Sequence, residues 1–255
     1  MTTRAPDHQR LGQPTASPFE RLVVGPPVHR IAFIKERCAG RRVLDVGALD
    51  ETEFDRPQHS SWRWLHREIA EVAKEVLGVD ASPKLRGGAG LVTSFGTRIV
   101  HGTVDDMDET LRTFRPELIV VGEVIEHTPN TLAWLSRIGE VIPGTRVLLT
   151  TPNATSFINL ALALVRRENA HEDHLHIYSY KTLAALSRRL HMTDAQIHPY
   201  FYDPQLFLPK IAPALHPLVR ALDVLVLRPV QVAAPLTAFG LILEGTLGST
   251  KVPGR

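Results

Sequence analysis

A chain of 255 residues, 44% hydrophobic and 22% charged, is long enough to bury one full α/β core. Its 29 basic and 27 acidic residues leave a net charge of +2 spread along the chain, without the cationic footprint of a nucleic-acid binder, so a nucleic-acid partner is not expected. The single cysteine, Cys38, excludes an internal disulfide and any cysteine-rich metal cluster, which fits a reducing, cytoplasmic setting.

Residues 1–18 lack the apolar stretch of a signal peptide and read as a flexible arm, leaving 19–255 as one domain. In chain order, "RRVLDVG", "EVLGVD", "TRIVHG", "PELIVVGE" and "TRVLLTT" are apolar, β-branched runs bounded by Gly, Asp or Pro, as expected of buried parallel strands. Between the first two, "WRWLHREIAEVAKEV" places Leu65, Ile69, Val72 and Val76 on one helical face. Further on, Ser179 is placed to cap a helix whose stripe is Leu183, Leu186 and Leu190. Region 204–236 is apolar and broken by prolines, with too little uninterrupted length to span a bilayer, and "AFGLILEGTL" closes the chain with a last strand. Strands alternating with helices predict an α/β, doubly wound Rossmann-like sheet whose ligands bind beyond the carboxyl ends of the strands.

The turn after the first strand, "VLDVGALDE", narrows the ligand. A dinucleotide site needs G-x-G-x-x-G there, so that backbone can approach a pyrophosphate. This turn has Gly47, followed by Leu49, Asp50 and Glu51, and its two acids would repel phosphate. A ligand without phosphate and with a positive centre suits it better, and S-adenosylmethionine is one.

The succession "VLDVG", "EVLGVDAS", "HGTVDDMDE", "LIVVGEVIEHTPN" and "VLLTTPN" resembles the motifs of class I S-adenosylmethionine-dependent methyltransferases over about residues 20–200. "YSYKTLAALSRRLHMT" is similar to the helix after the fifth strand in the branch containing the ubiquinone-biosynthesis O-methyltransferases. The fold this implies has parallel strands with an antiparallel C-terminal strand. The first motif departs from the family in having one glycine where two or three are usual. The resemblance implies that Asp45 and Gly47 line the methionine end of the cofactor and that Asp80, with Ala81 beside it, receives the ribose hydroxyls. It also implies that Asp105 and Met107 border the adenine and that Glu123 completes the cofactor site. Read from residue type alone, Asp80 also fits a cap before "SPKL", and Met107 an ordinary place in the core.

Transfer to an alcohol requires a base or a metal ion to activate the acceptor. His127 follows the fourth strand, and "NAHEDHLHIYSY" supplies His171, His174 and His176, whereas His101 and His191 read as structural. In "GEVIEH", residues 123, 126 and 127 are spaced i, i+3, i+4, so one helical turn would project Glu123, Glu126 and His127 to one side. With His174, the set resembles the divalent-cation site of small-RNA 3′-end 2′-O-methyltransferases, which implies magnesium or manganese as a cofactor. The same motif also fits relatives without metal, where the glutamate cups the cofactor and the histidine only caps a turn; a further alternative is that His127 or His174 acts as a plain general base.

The expectation is an O-methyltransferase for a hydroxyl on a sugar, oligosaccharide or glycosylated metabolite. Trp62 and Trp64 could stack on such an acceptor or anchor the first long helix. The alternatives are 2′-O-methylation of an RNA 3′ end and a non-catalytic member of the fold that binds a membrane or a partner. For region 204–236 the expected role is a lid, an interface or a homodimer contact, because Lys210, Arg220, Asp223 and Arg228 are too sparse for a basic amphipathic face.

Overall fold

The structure, a computed structural model, describes residues 19–49, 64–87, 90–103, 106–203, 208 and 212–248. Its elements in chain order are α1 (Arg30–Cys38), β1 (Arg42–Val46), α2 (Leu65–Ala70), β2 (Glu75–Asp80), β3 (Leu91–Val92), β4 (Arg98–His101), α3 (Asp108–Phe114) and β5 (Leu118–Gly122). They continue with α4 (Thr131–Val141), β6 (Arg146–Pro152), α5 (Phe157–Leu164), α6 (Tyr180–Arg189), β7 (Thr193–Tyr200), α7 (His216–Leu222), α8 (Arg228–Ala233) and β8 (Gly240–Thr246).

The five apolar runs become the parallel centre of one sheet, in the order β3-β4-β2-β1-β5-β6-β8-β7. β8 lies antiparallel between β6 and β7, as the family resemblance implies for the C-terminal strand. Both faces of the sheet are covered. On one, Phe33 and Ile34 of α1 and Ile69 of α2 pack on Val43, Val120 and Leu148; on the other, Leu111, Leu135 and Leu183 from α3, α4 and α6 pack on Leu44, Ile119 and Val147. This is the doubly wound α/β arrangement that the alternating pattern predicts.

Two elements differ from the sequence reading. The helix expected to run to Val76 stops at Ala70, and Val76 lies in β2. The carbonyl of Arg41 accepts from the N–H groups of both Lys74 and Glu75, which turns the chain into the sheet early. β7, "TDAQIHPY", carries no apolar signal because it is an edge strand. Pro199 is tolerated on this edge because its missing N–H breaks no inner ladder.

The cap at Ser179 is as expected. Its Oγ accepts from the Thr182 N–H while Thr182 Oγ1 accepts from the Ser179 N–H, and Leu183 and Leu190 are buried on the inner stripe. Within 204–236, the described part is helical from Pro213 to Ala233. Pro213, Pro217 and Pro229 each sit in the first turn of a segment, where a missing N–H costs least. A π-turn over Asp223–Leu227 carries the helix into the third of these prolines. No helix among the described residues is long and apolar enough to cross a membrane.

Candidate active site

The carboxyl ends of β1, β2, β5 and β6 form one edge, and two residues with left-handed backbone, Gly47 and Glu123, lie there. Gly47 has φ of 76°, and a Cβ on it would meet Val124 Cγ2 at 2.4 Å, so both conformation and space demand glycine after β1. One glycine suffices for this path because Asp80 braces the turn: its carboxylate accepts from the Leu49 N–H at 2.9 Å and from the Ser82 N–H at 2.8 Å. Trp64 donates its indole N–H to the Ala48 carbonyl at 2.7 Å, so this tryptophan anchors the turn and α2. Trp62, Asp50, Glu51 and Asp105 lie outside the described residues.

Asp45 is buried and pairs with His66, whose Nδ1 stands 2.9 Å from its Oδ2 and whose Nε2 stands 3.0 Å from Thr97 Oγ1. Gly78 makes room for this ring, since a Cβ there would meet His66 Cε1 at 3.0 Å. Ala81 is exposed beside Asp80. Met107 is buried in the main core at the start of α3, behind the edge.

Glu123 follows β5 with φ of 59°, a left-handed conformation uncommon outside glycine. Its carboxylate accepts from the Tyr200 hydroxyl at 2.5 Å and lies 3.9 Å from the Arg30 guanidinium. The guanidinium also donates to Thr150 Oγ1. Burial opposes the charge of Arg30, but Glu123, Tyr200 and Glu126 outweigh it and raise its pKa. Burial, and then the adjacent Glu123, push the Tyr200 phenol well above its ordinary value, which keeps it a donor.

Residues 123–127 do not form a helical turn. A tighter turn, closed by the His127 N–H on the Val124 carbonyl, separates the side chains that the i, i+3, i+4 spacing would have aligned. Glu126, His127 and His174 each offer a ligand atom within 4.8 Å of the others, whereas Glu123 faces Tyr200 and Arg30. The loop bearing His174 is held in place by Glu126, whose backbone carbonyl accepts from both the Leu175 and His176 N–H groups. His127 Nδ1 lies 3.2 Å from the Asp173 carbonyl, and its ring centroid is 4.7 Å from that of His174 and 6.2 Å from that of His171.

Glu126 is 1% exposed, and neither carboxylate oxygen has a hydrogen-bond partner among the described residues. Its own backbone N–H and the Thr151 hydroxyl lie near enough to ease its charge, but neither reaches hydrogen-bonding geometry. Burial, and then the charge of Glu123, lift the Glu126 carboxyl to about 7. Burial, and then the neighbouring His127 and His171, lower the pKa of His174 and favour its neutral form. Glu126, His174 and His176 line a cleft of about 770 Å³ together with Asn153, Asn159 and Arg166. A buried, unpaired carboxylate facing two imidazoles at the wall of a cleft is a donor set that fits a divalent cation.

With this geometry, the chain matches the model of the methyltransferase domain over residues 20–196. The chain belongs to the methyltransferase-domain family. Its sheet is that of the class I S-adenosylmethionine-dependent methyltransferases, and it aligns with solved methyltransferases. Small RNA methyltransferase HEN1 aligns with a TM-score of 0.51 at 12% identity over 86% of this chain and 25% of that one. A SAM dependent methyltransferase from Archaeoglobus fulgidus aligns at 0.46 and 16% identity, over 85% and 94%. Phosphoethanolamine N-methyltransferase 2 from Haemonchus contortus, in complex with S-adenosyl-L-methionine, aligns at 0.47 and 14%, over 86% and 52%. No curated protein matches the chain.

Sequence reasoning missed three residues of the methyltransferase edge: Arg30, His66 and Tyr200. Each reaches the edge by tertiary contact from an element with no motif. The one local sign was glycine. Gly78 clears space for His66, and Gly240 for Tyr200, whose ring would stand 2.0 Å from a Cβ at that position.

Proposed function

We propose that the methyltransferase carries a methyl group from S-adenosylmethionine to a hydroxyl of a sugar, oligosaccharide or glycosylated metabolite held in the cleft beside Glu126, His127 and His174. The observation that supports this reading most is the unpartnered buried carboxylate of Glu126. A cluster that stabilised the fold alone would have satisfied it, because an orphaned buried carboxyl destabilises the native state.

The residues divide into two groups. Asp80 presents its carboxylate at the end of β2, where it accepts from the Leu49 and Ser82 N–H groups and where vicinal ribose hydroxyls would form charge-assisted bonds. Gly47 keeps the floor low enough for the methionine portion, and Glu123, fixed by Tyr200 and Arg30, places negative charge near the positive donor. On the acceptor side, Glu126, His127 and His174 would hold a magnesium or manganese ion. When bound, the donor supplies an electrophilic methyl, and the cation supplies positive charge toward the acceptor oxygen. His174, kept neutral by its surroundings, is available as a ligand or as a base for the hydroxyl proton. Asn153 and Asn159 line the cleft with polar groups, although the amide of Asn153 is taken by the carbonyls of Leu236 and Ala238.

The test is transfer from methyl-labelled S-adenosylmethionine to a panel of saccharides and, in parallel, to RNA with a free 3′-terminal diol. Alkali-stable methyl ethers on saccharides are expected. Transfer to RNA alone would assign the acceptor to the second class, and transfer to nitrogen alone would overturn the hydroxyl reading.

A further inference from the structure

The helical run from Pro213 to Ala233 is amphipathic in the wrong direction for water. Its fully buried positions are the polar Asp223 and Gln231, whereas Leu218, Leu222 and Leu225 stand 66%, 49% and 73% exposed. A helix that turns polar side chains inward and leucines outward is matched to apolar surroundings on its outer side. Helix α5, "FINLALAL", also turns leucines outward and carries no charge. It buries no residue, and Leu160 and Leu164 are 59% and 80% exposed.

These segments are neighbours on one edge. β7 and β6 end there and β8 begins there, so the chain 201–239 and the chain after Pro152 emerge on the same side. The Leu236 carbonyl accepts from both Asn153 and Thr155, which ties the end of the helical run to the start of α5. Apart from Phe19, Val23 and Val92, every large apolar side chain strongly exposed among the described residues lies on α5, the histidine loop or this run.

We infer that this edge is a docking surface for an anionic lipid bilayer, with α5 and the Pro213–Ala233 run lying in the bilayer interface. Charge decides the occupant. Arg166 and Arg167 follow α5, both exposed, and Arg220 is exposed on α7. The one acid of the helical run, Asp223, is buried and ion-paired with Arg228 at 2.9 Å, so it offers no repulsion to a negative surface. Glu168, Glu172 and Asp173 follow on the loop toward the histidines. The charges of 204–236 are sparse, and Arg166 and Arg167, which follow α5 some fifty residues earlier in the chain, add to them beside the exposed Glu168. The leucine-bearing helices themselves expose Arg220 and no acid, which suits an anionic headgroup layer, whereas two copies of that face would bring their Arg220 side chains together. No described helix is long enough to cross, so the contact is interfacial. Leu160, Arg166 and Ile177 also line the 770 Å³ cleft, so docking sets the mouth of the cleft at the bilayer. The inference stands apart from the chemistry in the cleft.

The experiment is flotation of the full-length protein with vesicles of phosphatidylcholine, with and without phosphatidylglycerol. The protein is expected to float with the anionic vesicles, less with neutral ones, and less as salt rises. The combined substitutions Leu218→Glu, Leu222→Glu and Leu225→Glu should abolish flotation while leaving the melting temperature and S-adenosylhomocysteine binding unchanged. Arg166→Gln with Arg167→Gln should remove the preference for anionic vesicles. Failure to float with anionic vesicles overturns the inference, as does flotation that survives both variants. A wild-type dimer that the leucine variant splits, with no flotation, would assign the face to a second copy and equally overturn it.

Discussion

The Tyr200 hydroxyl donates a 2.5 Å hydrogen bond to Glu123, although β7 and β5 are separated in the sheet by β8 and β6. Tyr200 spans that gap because Gly240 leaves its ring a path, and the Val28 strand segment holds Arg30 beside it through the Phe201 N–H on the Val28 carbonyl. Tyr200→Phe should therefore fold and should release Glu123 from its fixed position. The expected loss in S-adenosylhomocysteine affinity is about 1–2 kcal/mol by calorimetry, the range for one hydrogen bond to a charged group that acts indirectly. Unchanged affinity would remove Glu123 from the cofactor floor.

Asp80→Ala removes both the brace on the turn after β1 and the acceptor for the ribose hydroxyls. Donor binding should weaken by about 1.5–3 kcal/mol, the range for hydrogen bonds to a charged group, with some loss of stability because the N–H groups of the buried Leu49 and Ser82 lose their acceptor. A fall in melting temperature with full affinity would make Asp80 a turn residue only.

His66→Ala leaves Asp45 buried and unpaired and opens space beside Gly78. Urea denaturation should show a loss of about 2–4 kcal/mol, the combined range for an orphaned buried polar group and a core truncation. A loss under about 1 kcal/mol would mean that water or a rearranged Thr97 replaces the ring.

Glu244 supplies the clearest pH dependence of stability. Burial raises its pKa, but hydrogen bonds from His198 and Arg37 overcome that and hold the carboxyl at about 2, against an ordinary value of 4.5. A carboxyl with a depressed native pKa favours the folded state fully above its unfolded value. Its contribution is lost as pH falls from about 4.5 toward 2. Glu244→Gln should lower stability at pH 7 by about 1–3 kcal/mol and cost progressively less as acid is added. An equal cost at both ends of that range would rule out the charge as its source.

How much was legible in the sequence follows from where each signal lies. The parallel strands were legible because strands buried on both faces are continuous apolar runs, and the cap at Ser179 because a capping box is local. β7 was not, since its buried residues Ile197 and Tyr200 are interspersed with Gln196, His198 and Pro199, which leaves no apolar run. At the site, the loop histidines and the "EVIEH" acids were visible as residue types. The partition between Glu123 and Glu126 was not, because helical spacing describes a helix, and the chain makes a tighter turn whose direction depends on the left-handed φ of Glu123. His66 and Tyr200 carry no motif at all and are placed by packing.

The unpaired Glu126 makes the metal-free protein less stable than its packing allows. At pH 8, Glu126→Gln should stabilise the chelator-treated protein by about 1–3 kcal/mol, because the amide removes the cost of ionising a buried carboxyl whose pKa stands near 7. In the presence of manganese the order should invert, the native carboxylate gaining what the amide cannot.

The measurement closest to the central claim is methyl transfer before and after chelation, with S-adenosylhomocysteine affinity followed on the same samples. Transfer should vanish with chelator and return with magnesium or manganese while cofactor affinity holds, because the acceptor oxygen gains charge only as the methyl moves. His174→Ala should lose both the rate and its metal dependence. Full methyl transfer by metal-free protein would contradict the account of Glu126, His127 and His174 as a cation site.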